Sequence, residues 1–228
     1  MSKRYEGKRV LVTQVDRYMG KPLAKAFADE GAEVIADDSR LDTVEAIDAL
    51  LARAGDIDIL CANFAEDPLP RSFANVTDED LAALYESIVF PFIRTVRKAG
   101  AAMQERGHGK IIAVTSAAPL RGLPGYSAYA SARGAQNAYV RTVGLELAPH
   151  NVQFNAIAQN FVKNERYFPD EFIESDMFKE QWLPQIPTGA VAEEEETAEL
   201  ALYLASDKCT HMVGQVIPWA GGWVTTTG

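Results

Sequence analysis

The sequence contains few of the residues that build disulfide frameworks, metal centres or membrane spans. Only two cysteines, Cys61 and Cys209, occur in 228 residues, and both are expected to be buried or unreactive thiols. The three histidines, His108, His150 and His211, are far apart and lack the spacing of metal ligands. No apolar run is long enough to cross a bilayer. These shortages predict a protein without a metal site, a disulfide framework or a transmembrane segment.

Positive charge is also scarce. The chain has 22 Lys and Arg against 32 Asp and Glu, a formal net charge of -10, which argues against a nucleic-acid partner. The first twelve residues contain no apolar signal segment, and together with the two unpaired cysteines this favours a cytoplasmic protein. The length and a hydrophobic content of 47% indicate one domain, residues 1–228, with a substantial core.

Short apolar runs alternate with amphipathic segments along the chain. Helical periodicity covers Lys21–Gly31, Asp42–Ala54 with Asp42 as the expected N-cap, and a long stretch that opens with a Thr77–Asp80 capping box. Strands that alternate with helices predict an α/β fold, with a parallel sheet covered on both faces. The six candidate strands are RVLVT, AEVIADD, IDILCAN, GKIIAVTS, VQFNAIA and GQVIPWAGG.

The first strand, turn and helix have the layout of a nucleotide-binding βαβ unit, but the turn lacks its glycines. Gln14 and Tyr18 stand where glycines let a backbone approach a pyrophosphate. We therefore expect no bound dinucleotide, and without nicotinamide only acid–base chemistry remains. Asp37 and Asp38 end the second strand, where dinucleotide folds keep an acidic ribose ligand, and are expected to be a leftover or a structural cap.

A serine, a tyrosine and an arginine form the chemistry-bearing pattern. Ser116 ends the strand GKIIAVTS, Tyr129 lies thirteen residues further on, and Arg133 follows after four more. Residues at i and i+4 share one helix face, so the three groups are expected to meet at the carboxyl edge of the sheet. A guanidinium favours the phenolate form of a tyrosine, whose free pKa is about 10. Ser116 would orient a substrate hydroxyl, and Tyr129 would accept its proton.

This pattern, S-x12-Y-x3-R, resembles the S-x12-Y-x3-K motif of the short-chain dehydrogenase/reductase family, with arginine in place of lysine. The segments CANFA, NAIAQN and GQVIPWAGG are similar to other motifs of that family. Combined with Thr13, Tyr18 and Gly20 in a T-x4-F/Y-x-G pattern, the chain resembles the halohydrin dehalogenases, which are cofactor-independent members of the same scaffold. The resemblance implies a doubly wound Rossmann-like fold with a seven-stranded parallel sheet.

The resemblance also implies an activity and a set of site residues. Vicinal haloalcohols would close to epoxides with release of halide and a proton, and azide, cyanide, nitrite or halide would open the epoxide in reverse. Long helices would pair four copies into a homotetramer, a dimer of dimers. Ser116, Tyr129 and Arg133 would be catalytic. The residues implied in binding the halide or another small anion are Tyr18, Gln159, Asn160, Phe161 and Val162.

An irregular segment rich in aromatics and prolines, residues 159–189, follows a strand. Ligands of open α/β sheets bind beyond the carboxyl ends of strands, so this segment is expected to form the substrate pocket. Ordinary packing explains its members and their neighbours about equally well. The weaker candidates for substrate walls are Pro68, Pro70, Leu123, Tyr167, Phe168 and Trp182.

Two other functions remain open from the sequence. A divergent NAD(P)-dependent reductase that tolerates Arg133 would bind nicotinamide cofactor. A catalytically inactive binding module on the same scaffold would have no activity for Tyr129→Phe to remove.

Overall fold

The computed structural model describes residues 3–226, which form one parallel sheet flanked by helices. The strand order is β2-β1-β3-β4-β5-β6. The order reverses between β1 and β3, and in such folds the crevice beyond the carboxyl ends of these strands is the ligand site. The strands are β1 (Arg9–Thr13), β2 (Glu33–Asp37), β3 (Ile59–Asn63), β4 (Gly109–Ser116), β5 (Val152–Gln159) and β6 (Val216–Trp219).

The α/β fold with a parallel sheet is confirmed, but the sheet within residues 3–226 has six strands rather than seven. β2 ends at Asp37, and the next helix already begins at Val44 and ends at Ala54. β3 then starts at Ile59, so no apolar run is left between β2 and β3 for a further strand. β2 is consequently an edge strand of the sheet.

Eight helices connect and cover the strands in the described chain. The Thr77–Asp80 capping box is present as predicted. The second helix is capped by Thr43, whose side chain accepts the Ala46 N–H, so the prediction of Asp42 was wrong by one residue. A π-helical turn, Tyr85–Val89, joins the third helix to the fourth. The helices are α1 (Gly20–Asp29), α2 (Val44–Ala54), α3 (Asp78–Leu84), α4 (Phe90–Arg106), α5 (Ala118–Arg121), α6 (Ser127–Leu147), α7 (Asp170–Ile173) and α8 (Glu194–Ala205).

Two apolar layers hold the helices against the sheet. One layer lies between the sheet and α2, α4 and α6, and the other lies between the sheet and α1 and α8. Helix α6 approaches β5 closely at Gly144, where a Cβ would lie 3.0 Å from the Phe154 carbonyl oxygen. A side chain larger than glycine would therefore push α6 away from β5 at this point. None of the helices in residues 3–226 combines the length and apolar character that a membrane span requires.

Candidate active site

The serine, tyrosine and arginine of the sequence pattern meet at the carboxyl end of β4. The Nε of Arg133 donates to the Tyr129 hydroxyl at 3.1 Å, one turn apart on α6. Ser116 is the last residue of β4, and its backbone oxygen accepts a 3.1 Å hydrogen bond from the Asn137 side chain. Its Oγ accepts the Ala118 N–H at 3.1 Å. Ser116 and Tyr129 line the same cavity, while Arg133 lies fully buried behind Tyr129.

The Arg133 guanidinium is held entirely by neutral groups. Besides Tyr129, it donates to the Phe64 carbonyl oxygen at 2.9 Å, to the Gln136 side-chain oxygen at 2.9 Å and to the Tyr167 hydroxyl at 3.5 Å. Among residues 3–226, no carboxylate lies within 4.0 Å of it. A buried cation without a counter-ion stabilises any negative charge that forms beside it.

Three phenols surround this one cation. The Arg133 Cζ lies 5.7 Å from the Tyr18 ring centre and 5.3 Å from the Tyr129 ring centre. Burial raises the pKa of Tyr18 and of Tyr167 above the usual range. Burial acts to lower the pKa of Arg133, but attraction to the three phenols outweighs it and the pKa is raised. The guanidinium is therefore charged at neutral pH.

The phenol protons of two of these tyrosines are committed to backbone carbonyls. Tyr18 donates to the Thr115 oxygen at 3.3 Å, and Tyr167 donates to the Glu66 oxygen at 2.6 Å. No backbone carbonyl in the described chain accepts the proton of Tyr129. The Tyr129 hydroxyl instead contacts the side chains of Arg133 and Tyr167, and of the three phenols it is the one that the backbone leaves available to a bound ligand.

The turn after β1 keeps the backbone shape of a glycine-rich loop without its glycines. Gln14 and Tyr18 have φ values of +47° and +54°, a left-handed conformation that costs about 1–2 kcal/mol for a residue with a side chain. The Gln14 side chain accepts the Ala65 N–H at 3.0 Å. The amide of Asn63 donates to the carbonyl oxygens of Gln14 and Arg17 at 3.1 and 2.8 Å. These bonds offset the backbone strain and fix the Tyr18 ring.

The turn after β5 contains two successive backbone N–H groups without a hydrogen-bond partner among the described residues. Phe161 has a φ of +54°, and its buried ring packs 5.6 Å from the Trp223 ring and 5.4 Å from the Phe168 ring. Neither the Phe161 nor the Val162 N–H makes a hydrogen bond to another described residue, whereas the Asn160 and Lys163 N–H groups do. Successive free N–H groups around a left-handed residue form a concavity that binds anions.

A cavity of about 700 Å³, counting its open mouth, lies over Ser116 and Tyr129. Its lining contains no Asp, Glu, Lys, Arg or His. Of the predicted site residues, Arg133 lies behind the wall, Phe161 contributes its side chain to the apolar cluster beneath, and Pro70 lies exposed outside. The predicted residues that line it are Ser116, Tyr129, Tyr18, Gln159, Asn160, Val162, Pro68, Leu123, Tyr167, Phe168 and Trp182.

Four further lining residues were not predicted: Ala118, Tyr126, Asn164 and Phe172. Tyr126 precedes Tyr129 by three residues at the start of α6, so helical spacing would have placed it on the same face. Asn164 carries no such signal. Its side-chain oxygen accepts the N–H groups of Arg166 and Tyr167 at 3.0 and 2.8 Å, which folds the loop that carries Tyr167.

Family and sequence comparisons place the chain among short-chain dehydrogenases and reductases. A family model described as enoyl-(acyl carrier protein) reductase matches residues 4–224. The chain is 29% identical over 228 residues to 3-oxoacyl-(acyl-carrier-protein) reductase FabG of Chlamydia muridarum, covering 95% of this chain and 87% of that protein. It is 28% identical over 250 residues to L-xylulose reductase of Bos taurus, covering 99% and 100%. The chain therefore belongs to the family of this enoyl-(acyl carrier protein) reductase model, within the short-chain dehydrogenase/reductase superfamily.

Structural comparison finds dehalogenases on the same scaffold. A structure described as a dehalogenation enzyme matches with a TM-score of 0.88 and 28% identity, covering 96% of this chain and 99% of that chain. Halohydrin dehalogenase HheC bound to ethyl (2S)-oxiran-2-ylacetate matches with a TM-score of 0.86 and 26% identity, covering 96% and 98%. Because identities to reductases and dehalogenases are similar, the chemistry has to be argued from the site.

The reductase fold implies a dinucleotide at the turn after β1, and the residues there do not fit one. A pyrophosphate needs a bare backbone at this turn. Here the Tyr18 side chain reaches from the β1 turn across β3 to Thr115 of β4, with its ring 5.1 Å from the Tyr167 ring. The acid at the end of β2 is also engaged, because the Asp37 carboxylate accepts hydrogen bonds from Ser39 and pairs with Arg53.

Metal chemistry has no candidate ligands in this region. No group of three or more His, Cys, Asp or Glu side chains within residues 3–226 is arranged to hold an ion.

Proposed function

We propose that this protein is a cofactor-independent halohydrin dehalogenase that interconverts vicinal haloalcohols and epoxides. One observation carries the proposal: Tyr18 lies across the path of a dinucleotide and beside the Tyr129–Arg133 pair. Without a nicotinamide cofactor there is no hydride donor, so the serine and tyrosine that assist hydride transfer in reductases can assist only proton transfer here. The two dehalogenase neighbours of known structure support the same assignment.

The proposed reaction begins with proton transfer to Tyr129. Ser116 donates a hydrogen bond to the substrate hydroxyl oxygen, and the Tyr129 phenolate, stabilised by Arg133, takes the hydroxyl proton. The oxygen attacks the neighbouring carbon from the side opposite the halogen, so the new C–O bond forms as the carbon–halogen bond breaks. The halide leaves with the bonding electron pair, and Tyr129 later releases the proton to solvent.

The halide would bind at the turn after β5. The free N–H groups of Phe161 and Val162 supply positive dipoles, and the Tyr18 ring and the side chains of Gln159 and Asn160 line the adjoining wall. In the reverse reaction azide, cyanide, nitrite or halide would occupy this place and attack the epoxide. A lining without charged side chains suits a neutral haloalcohol.

Halide release from a small vicinal haloalcohol, measured without added cofactor, tests the function. We expect halide and epoxide in equal amounts from the native protein. Azide should open the epoxide again, since the same anion site serves both directions. No halide from several such substrates, together with carbonyl reduction by NADPH, would contradict the proposal.

A reductase is the second candidate, and the curated relatives favour it. It requires a dinucleotide at a turn where Gln14 and Tyr18 carry side chains. Titration with NADH and NADPH decides between the two functions. A reductase should bind the cofactor at micromolar protein concentration, and binding should change the fluorescence of the nicotinamide. The double variant Gln14→Gly/Tyr18→Gly is the matched comparison, since it restores the glycines.

A homotetramer and a cytoplasmic location stay predictions. Phe90 on α4 and Leu145 on α6 are large apolar side chains exposed to solvent, at 43% and 68%. They lie on the two long helices that the resemblance assigns to subunit pairing, so sedimentation of the native chain and of Leu145→Lys would test the assembly.

A further inference from the structure

The side chain of Gln136 is the one neutral side-chain amide that binds the buried guanidinium. Gln136 follows Arg133 by three residues on α6 and is fully buried. Its Oε1 accepts an Arg133 Nη–H at 2.9 Å, and its Nε2 donates to the Ile88 carbonyl oxygen at 2.7 Å. Ile88 lies in the π-helical turn between α3 and α4.

The orientation of this amide is fixed by its two partners. A carbonyl oxygen accepts hydrogen bonds only, so the Gln136 nitrogen must face Ile88, and the amide oxygen must face Arg133. A flipped amide would place an NH2 group against the guanidinium and leave both without an acceptor. The π-helical turn therefore sets, through Gln136, the position of the Arg133 Nη group.

The chemical character of Gln136 matters as much as its position. A buried arginine is ordinarily paired with a carboxylate, which would cancel much of its field. Gln136 supplies the same acceptor geometry without negative charge. The positive charge of Arg133 thus remains available to the oxygen of Tyr129, 3.1 Å from Nε.

The other ionisable groups around Arg133 and Tyr129 do not supply a counter-charge to the guanidinium. Tyr18 faces Arg133 from the turn after β1, and Tyr167 faces it from the segment after β5. Both donate their protons to backbone oxygens. The carboxylate of Glu66 pairs with Arg166 at 2.8 Å.

We propose that Gln136 is a positioning residue that holds Arg133 with a neutral acceptor and so leaves the charge of the guanidinium available to the Tyr129 hydroxyl during catalysis. The inference deepens the proposed dehalogenase function and rests on it for the catalytic role of Tyr129. The contact geometry itself is independent of which substrate the site takes.

Gln136→Glu is the decisive variant, because it keeps the size and the acceptor but adds a charge. The phenolate absorbance of Tyr129 is obtained at each pH by subtracting the spectrum of the matching Tyr129→Phe protein. We expect the ionisation of Tyr129 to move up by about 1 pH unit or more in Gln136→Glu, since a carboxylate now offsets the guanidinium. The pH–rate profile for halide release should move by the same amount, with a similar plateau at high pH.

Two further variants separate positioning from packing. Gln136→Met removes the acceptor without adding charge, so the ionisation of Tyr129 should rise by less than in Gln136→Glu. Gln153→Glu places the same change at a buried glutamine near the amino end of β5 and should leave it unmoved. A merely structural Gln136 would lower stability and leave the Tyr129 titration of all variants unchanged.

A Tyr129 titration in Gln136→Glu that superimposes on the native one would overturn the inference, as would an equal or larger shift in Gln136→Met. If Gln136→Glu does not fold, Gln136→Met decides alone, and an unmoved titration counts against positioning. Because absorbance needs no substrate, a native protein that releases no halide would sink the proposed function and still leave this comparison readable.

Discussion

The two ends of the sheet treat charge in opposite ways. At the amino end, a groove brings basic side chains close to an acid: the Lys8 ammonium lies 3.7 Å and the His108 imidazole 3.9 Å from the Asp58 carboxylate. In the same groove Lys110 donates to the Cys209 carbonyl oxygen at 2.6 Å. At the carboxyl end, the cavity lining carries no charged side chain. Arg133 lies behind this lining, and its hydrogen-bond partners among the described residues are all neutral.

This difference separates charge that stabilises structure from charge that serves chemistry. Exposed ion pairs such as those of the amino groove contribute about 0–1 kcal/mol each and largely cancel their own fields. An unpaired guanidinium in a dry setting is expensive to bury, and its field acts on whatever oxygen lies nearest. Among the described residues, the ionisable oxygen nearest to the guanidinium is the hydroxyl of Tyr129, 3.1 Å from Nε. Under the proposed function, the absence of a carboxylate beside Arg133 leaves its positive charge available to that oxygen.

Removing one phenol at each end is the strongest test of this contrast. Tyr129→Phe should lower the rate of halide release by about 10²–10⁴-fold, the usual contribution of a general base, with little change in stability. Tyr5→Phe removes a buried hydroxyl that donates to the Leu202 oxygen near the amino groove. It should lower the unfolding free energy by about 1 kcal/mol and leave the rate unchanged.

Rates and denaturant midpoints of both variants, measured side by side, decide the matter. The claim that the carboxyl end serves catalysis and the amino end serves stability would be wrong if Tyr129→Phe retained most of the activity. It would also be wrong if Tyr5→Phe lost activity without unfolding.

Adding a methyl group to a glycine should cost more stability at the carboxyl end of the sheet than at the amino end. A Cβ on Gly20 would lie 2.4 Å from the Val15 carbonyl oxygen, a fixed backbone atom of the turn that carries Tyr18. A Cβ on Gly109 would lie 2.5 Å from Met103 Cγ, in a side chain that can change rotamer. We expect Gly20→Ala to destabilise by about 3 kcal/mol and Gly109→Ala by clearly less. Urea unfolding of both variants measures the difference, and equal losses would refute it.

Much of the site was predictable because it rests on periodicity. Ser116 ends a strand, and Tyr129 and Arg133 are one helical turn apart, so a parallel sheet with a crossover helix brings them together whatever the loops do. The replacement of two glycines in the turn after β1 was also predictable from the sequence. Gln14 and Tyr18 hold the left-handed φ values that glycine adopts most readily, so the turn has at these two positions the backbone conformation expected of a glycine-rich loop.

The rest depended on contacts that no local pattern encodes. Helical spacing places Gln136 on the same face of α6 as Arg133, but only its long-range bond to Ile88 reveals how its amide is oriented. Tyr167 comes to Arg133 through a loop folded by Asn164. The choice of Thr43 over Asp42 as a cap is a decision between two adjacent residues of equal capping ability. The seventh strand was implied by family likeness, although the residues themselves offered only six candidates.

The smallest expected effect concerns Lys110 at the amino end. Burial lowers the pKa of Lys110, with Asp207 acting in the opposite direction. A lowered folded pKa means that the charged lysine destabilises the fold at neutral pH. Stability contributed by this group therefore rises as pH increases through the folded pKa toward the unfolded value near 10.4. In Lys110→Met this pH dependence should disappear, so the stability of the variant relative to the native chain should fall by about 1 kcal/mol or less between neutral and alkaline pH.

Urea unfolding of both proteins across that range measures this difference, and exposed Lys208→Met is the matched control. The control should show no trend, because its ammonium group is hydrated in both states. Halide release should be the same in all three proteins, since Lys110 lies at the end of the sheet opposite the cavity. A trend of opposite sign would mean that the fold stabilises the Lys110 cation, and it would contradict the expected cost of burying this charge.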